Sequence, residues 1–164
     1  MPAVAHPAPA PVADALAAVA RAHAGLLALT IPGCGACMLL PASLAELRRA
    51  RPGLVVAIGE FASPEDWRER ERLLWPRGIH VSRSSVPALA LLVDGEVVAS
   101  RPGGGPAALI DRWIASLLGP AERPIEDGPT AAEAAALDAL AGRIAAQRHA
   151  KRARAGLGGE GHAP

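Results

Sequence analysis

The sequence predicts an α/β fold in which a central mixed β-sheet is covered by helices. Three observations carry this expectation. The run Leu54-Val55-Val56-Ala57-Ile58 is apolar without interruption, the pattern of a strand buried on both faces and so of a parallel, covered sheet. Asp94-Gly95 separates two further strand-like runs, 88–93 and 96–100, and is the strongest short hairpin signal, so part of the sheet is antiparallel. Leu109, Ile110, Trp113, Ile114 and Leu117 recur at helical spacing within 107–118 and mark a helix with one apolar face.

The other elements follow along the chain. Residues 1–11 are rich in Pro and Ala, carry no Lys or Arg, and are expected to form a flexible amino-terminal tail. Val12, Leu16, Val19 and Ala20 predict a short helix ending near Gly25, and the apolar run 26–31 predicts a strand. Pro32-Gly33 turns the chain into Cys34-Gly35-Ala36-Cys37, after which apolar and charged residues alternate through Arg51, so a helix is expected to open at the cysteine pair. Ser63 as N-cap and Pro64 at the first helical position start another helix, expected to run to about Trp75 and to stop at Pro76. One compact domain is thereby expected over 12–118. Residues 119–129, rich in Pro, Gly and acidic side chains, read as a linker, and 130–154 as an Ala-rich helix with Leu137, Leu140 and Ile144 on one face and a basic end at Arg148, His149, Lys151, Arg152 and Arg154. Residues 155–164 are expected to be disordered.

Composition narrows the function classes. The formal net charge of +1 calls for neither nucleic acid nor an anionic membrane as partner. The basic end of the last helix complements a helix C-terminus, and no aromatic residue beside it would stack a base. The amino-terminal stretch makes a poor signal peptide, and no window approaches the roughly 20 apolar residues needed to span a bilayer. A soluble, cytoplasmic protein is expected. In a reducing cytosol two cysteines at this spacing suit catalysis or metal binding better than a structural staple. A structural zinc site needs four ligands, yet there is no second C-x-x-C, and His6, His23, His80, His149 and His162 stand alone. The expectation is no metal and no cofactor, with a metal shared across a dimer as the remaining alternative.

Cys34 and Cys37 therefore carry the chemistry. At a helix start, unpaired backbone N–H groups and the helix dipole favour a thiolate, and a spacing of two intervening residues keeps a second thiol within reach of the first. This is the geometry of thiol–disulfide exchange. Cys34 is expected to attack a substrate disulfide and Cys37 to resolve the mixed disulfide, with the small Gly35 and Ala36 allowing close approach of a partner.

The order helix, strand, C-x-x-C helix, strand, helix, then Ser85-Val86-Pro87-Ala88-Leu89 entering the Val93-Asp94-Gly95-Glu96 hairpin and a final helix, resembles the thioredoxin family over roughly residues 12–118. The resemblance implies a thioredoxin-like fold in which Pro87 is cis and faces the cysteines. It also implies that Gly33, Val86 and Pro87 form the surface on which an extended substrate strand docks, with disulfide-containing proteins as substrates and an unidentified reductant as second partner. Several positions depart from the family pattern. The Trp before the first cysteine is Gly33, the motif proline is Ala36, the buried Asp is Ala28, and its Lys partner on the next strand is Ile58. Glu60, at the end of that strand, is the nearest substitute for the missing acid.

Other motifs are given bland readings. Trp67, Trp75 and Trp113 are assigned mostly to core packing. The run Glu65-Asp66-Trp67-Arg68-Glu69-Arg70-Glu71-Arg72 supplies ion pairs on a solvated helix face, and Gly103-Gly104-Gly105 lacks the Lys-Ser/Thr of a phosphate loop. By resemblance, that glycine run lines the groove beside the cysteines. The expected function is a thiol–disulfide oxidoreductase acting on protein disulfides. The alternative is a non-catalytic thioredoxin-fold protein for binding or assembly, with a chaperone-like role.

Overall fold

Alternation along one strand organises the molecule. The computed structural model describes residues 6–125 and 128–156. In β2 (Ala24–Thr30), Leu27 and Leu29 point to one side and pack with Val12, Leu16 and Val19 of α1 (Val12–Ala20), and with Phe61 and Trp67. Leu26 and Ala28 point to the other side, where they meet Leu40, Leu44 and Leu47 of α2 (Leu40–Ala50) and Ile110 and Ile114 of α4 (Ala107–Leu118). Successive strand residues face opposite ways, so a strand apolar at every position is stable only when both faces are covered. The result is a three-layer α/β/α arrangement.

The sheet has five strands in the order β1-β3-β2-β4-β5. β1 (Pro9–Pro11) and β2 both run parallel to β3 (Leu54–Glu60), whereas β4 (Ala88–Val93) is antiparallel to β2 and to β5 (Glu96–Pro102). Asp94 and Gly95 take φ of 50° and 82°, the left-handed pair that a tight two-residue hairpin needs. α3 (Pro64–Leu73) starts where the sequence places it. Ser63 Oγ accepts the Asp66 N–H at 3.2 Å and the Asp66 carboxylate accepts the Ser63 N–H at 2.7 Å, a reciprocal capping box.

Four expectations need correction, the last at the end of the final helix. Residues 9–11 are an edge strand and not part of a flexible tail: β3 leaves one parallel edge open, and a strand bounded by Pro9 and Pro11 can occupy an edge because few of its N–H groups are needed. The helix does not open at the cysteines. Ala36–Leu39 form a 3₁₀ turn, with the Cys37 N–H bonded to the Cys34 carbonyl at 3.2 Å, and the α-helix begins only at Leu40 with Pro41 in its first turn, where a missing N–H is harmless. α3 stops at Leu73, and Trp75–Arg77 form a separate 3₁₀ turn around Pro76.

Two buried charges fasten the helical layer. Arg51, at the end of α2, donates to Asp111 Oδ1 of α4 at 2.5 Å and to the Gly119 carbonyl at 2.9 Å, so the guanidinium is paired where it is taken from water. α5 (Ala131–Gly156) starts with a second reciprocal cap: Glu133 Oε2 accepts the Thr130 N–H at 2.7 Å, and the Glu133 N–H donates to Thr130 Oγ1 at 3.2 Å. Helix continues through Gly156, so residues 155 and 156, expected in the tail, belong to α5; residues 1–5 and 157–164 lie outside the described residues. Among the described residues no helix is long and apolar enough to cross a membrane.

Candidate functional site

The chain leaves β2 at Thr30, turns at Pro32-Gly33 with Gly33 at φ 73°, passes Cys34 and enters the 3₁₀ turn that holds Cys37. Cys34 and Cys37 are joined as a disulfide with their Cα atoms 5.3 Å apart. Cys34 is half-buried and Cys37 is only 9% exposed, so one sulfur faces solvent and the other lies beneath it. The Cys37 N–H also points at Cys34 Sγ, at 3.2 Å. After reduction, this backbone donor is placed to stabilise negative charge on Cys34.

A pocket of about 180 Å³ opens beside the disulfide, lined in part by Thr30, Cys34, Cys37, Ile58, Glu60 and Arg143. Ala28 is fully buried in the apolar core, so no acid lies at that position, and Ile58 presents hydrocarbon to the pocket. Glu60 does line it. Its carboxylate sits at the end of β3, the one acidic side chain among the described lining residues. Thr30 Oγ1 reaches the Gly59 carbonyl at 3.5 Å, which keeps its hydroxyl turned toward β3.

The substrate-docking residues named from the sequence fall on two segments. Gly33 is exposed, Val86 is half-buried and Pro87 is buried. The Val86–Pro87 peptide bond is cis, and the Pro87 carbonyl accepts the Gly103 N–H at 2.6 Å. Gly104 holds this segment close to the cysteine helix, since a Cβ there would lie 2.9 Å from Leu40 Cδ2 and 3.4 Å from Pro87 Cγ. Leu40, three residues after Cys37, therefore meets the proline segment across a glycine.

Residues not singled out from the sequence as site members come from α5. Leu140 Cδ1 lies 3.0 Å from where a Cβ on Gly35 would sit, and Arg143 Nη1 donates to Met38 Sδ at 3.3 Å. Glu133 anchors the start of this helix on the domain: it is 1% exposed, and its Oε1 accepts the Ala107 N–H at the first turn of α4, at 2.6 Å. Burial pushes the Glu133 carboxyl up, but the N–H groups of Thr130 and Ala107, with the nearby hydroxyls, outweigh it and hold the group below the usual carboxylate range. The stabilisation from this anchor is complete above the ordinary carboxylate value and is lost as the pH falls through the lower folded one. The Ala107 amide resonance is accordingly expected to shift only once the pH falls below the ordinary carboxylate range. A Glu133→Gln variant is expected to show no such step. The Thr130-x-x-Glu133 spacing was the sequence signal for this cap; nothing in the sequence placed Leu140 or Arg143 beside the cysteines.

The remaining motifs behave as surface and core. Glu65 pairs with Arg68 and Glu69 with Arg72 on the exposed face of α3. Trp67 is buried, stacked on Phe61 with ring centroids 4.3 Å apart, whereas Trp75 is 41% exposed and lies beside Arg70 and His80. Among the described residues no group of three or more His, Cys, Asp or Glu is placed to hold a metal ion.

A mixed sheet covered on both faces, with a C-x-x-C disulfide after the central strand, defines a thioredoxin-fold protein. Solved structures agree with this assignment. Chlamydomonas reinhardtii thioredoxin f2 superposes with a TM-score of 0.52 at 16% identity, covering 70% of this chain and 98% of its own. A mutant thioredoxin from Halobacterium salinarum does so with a TM-score of 0.51 at 20% identity, covering 71% of this chain and 94% of its own. Identities this low establish the fold alone. No protein-family model and no curated protein sequence matches the chain.

Proposed function

We propose that the protein is a thiol–disulfide oxidoreductase that reduces disulfides in other proteins. The observation that carries this reading is the layered cysteine pair: Cys34 half-buried at the surface, Cys37 beneath it, and the Cys37 N–H aimed at Cys34 Sγ. In the reduced protein, Cys34 thiolate attacks one sulfur of a substrate disulfide and the other sulfur leaves as a thiolate, which takes up a proton. Cys37 then loses its proton and attacks Cys34 Sγ. The substrate departs as a dithiol and the Cys34–Cys37 disulfide forms, so two electrons have passed to the substrate. A separate reductant returns the protein to the dithiol.

Gly33, Val86 and Pro87 are the proposed docking surface for the substrate strand, next to the glycine segment that touches Leu40. Glu60 is the group in the pocket that can receive the Cys37 proton, through solvent, since Ala28 cannot. The reaction suits a reducing, cytoplasmic setting. A non-catalytic binding or assembly role is the second reading, favoured by the apolar surroundings of Ala28 and Ile58 and by Leu140 resting on the motif.

The test is reduction of insulin by the full chain with dithiothreitol as reductant, alongside a titration between dithiol and disulfide. Cycling together with insulin reduction above the dithiothreitol background is the expected result. A protein that fails to cycle, or cycles without reducing insulin, leaves the binding reading.

A further inference from the structure

We propose that Arg143, delivered by α5, is an electrostatic member of the dithiol site whose positive charge favours the thiolate form of Cys34. This rests on the reading of Cys34 as nucleophile and adds a residue 105 positions beyond Met38 to its surroundings.

Two independent observations place the guanidinium there. Arg143 lines the pocket that both cysteines line, and its Nη1 is fixed by a hydrogen bond to Met38 Sδ, in the residue after Cys37. Leu140 and Arg143 are three residues apart and so share one face of α5, which means that seating Leu140 on Gly35 also brings Arg143 over the motif. Among the described residues Arg143 forms no ion pair, and Met38 gives it only a weak neutral acceptor. Its charge is thus available to an anion in the pocket.

Among the described residues the charged groups lining this pocket are two. Glu60 contributes a carboxylate from β3, which disfavours a thiolate, and Arg143 contributes the cation from α5. His6, preceding β1, bonds the Pro41 carbonyl at 3.1 Å at the pocket edge. The core side supplies Ala28 and Ile58, which carry no charge. Arg143 is exposed, so the effect is screened by salt and smaller than that of a buried pair. When Cys34 ionises its proton passes to solvent.

The experiment follows alkylation of Cys34 in the reduced full chain by iodoacetamide across pH, read by peptide mass spectrometry. Removing the cation in Arg143→Ala is expected to raise the midpoint by about half a pKa unit, roughly a threefold slower reaction below the midpoint. Arg143→Lys retains a positive charge and is expected to keep most of the shift. Leu140→Asp, which unseats α5, is expected to match Arg143→Ala, and the double variant to go no further. Added salt should move the wild-type midpoint toward that of Arg143→Ala. A midpoint unchanged in Arg143→Ala overturns the proposal. So does a change confined to the high-pH plateau, because that reports α5 as a steric cover. The measurement needs no disulfide substrate, so a protein that fails to reduce insulin still passes or fails it.

Discussion

A Cys37→Ser variant is expected to accumulate covalent adducts through Cys34, while Cys34→Ser forms none and reduces insulin no faster than background. The asymmetry follows from the layering. Cys34 is half-buried and accepts a backbone N–H, whereas Cys37 is 9% exposed and out of reach of a protein disulfide. With Cys37 replaced, the first attack still occurs but no neighbouring thiol attacks Cys34 Sγ, so the mixed disulfide persists. Non-reducing electrophoresis and mass spectrometry of the variants expressed in the source cell would read the adducts and name the substrates. Adducts of equal abundance on Cys37 in the Cys34→Ser variant would reverse the assigned roles. An absence of adducts in both, with stable non-covalent partners, would favour the binding reading.

Gly25→Val is expected to lose about 3 kcal/mol of stability or fail to fold, although valine is the better strand former. Gly25 lies on the face of β2 that carries Leu27 and Leu29, against the end of α1. A Cβ there would sit 2.5 Å from the Val19 carbonyl oxygen and 2.7 Å from Val19 Cβ. Both atoms belong to a buried turn of helix, and Val19 is 0% exposed, so neither yields without moving α1 from the sheet. Gly53→Ala is the control, since a Cβ there approaches only Glu122 Oε1, at 3.9 Å. That variant is expected to stay within about 1 kcal/mol of the parent in urea or thermal unfolding. Comparable losses in the two would show that the α1–β2 approach is not what requires glycine.

Most of the sheet was legible because its signals are short. The uninterrupted apolar run in β3 demanded cover on both faces. Asp94-Gly95 demanded a hairpin, and Ser63-Pro64 with Asp66 marked the start of α3. Each of these rests on interactions within a few residues, so a window of sequence contains the whole cause. The opening of the motif helix was less legible. Whether a turn at Ala36–Leu39 is 3₁₀ or α depends on a small difference in hydrogen-bond pattern, settled by Pro41 and by the way Leu40 is buried.

Of the site, the sequence supplied Cys34 and Cys37 by spacing, and Glu60 as the candidate acid. The structure puts all three on one pocket. The sequence could not supply Arg143, since an arginine in an Ala-rich helix beyond a Pro/Gly stretch has the pattern of a solvated residue. The Leu137, Leu140 and Ile144 face announced only that the helix has an apolar side, and of the three only Leu140 is seated on the motif while Leu137 and Ile144 stay exposed. That seating depended on the glycine at position 35, more than a hundred residues earlier, and on a buried carboxylate bonded to the first N–H of α4.

By itself, then, the amino-acid sequence determined the α/β class, the hairpin, the cap of α3 and the cysteine pair. These come from backbone hydrogen bonding and side-chain periodicity over short stretches. Tertiary structure alone decided that residues 9–11 extend the sheet, that Gly104 joins Leu40 to Pro87, and that α5 lies on the motif with Arg143 in its pocket. Those outcomes turn on shape and charge matching between surfaces far apart in the chain, which no local pattern encodes.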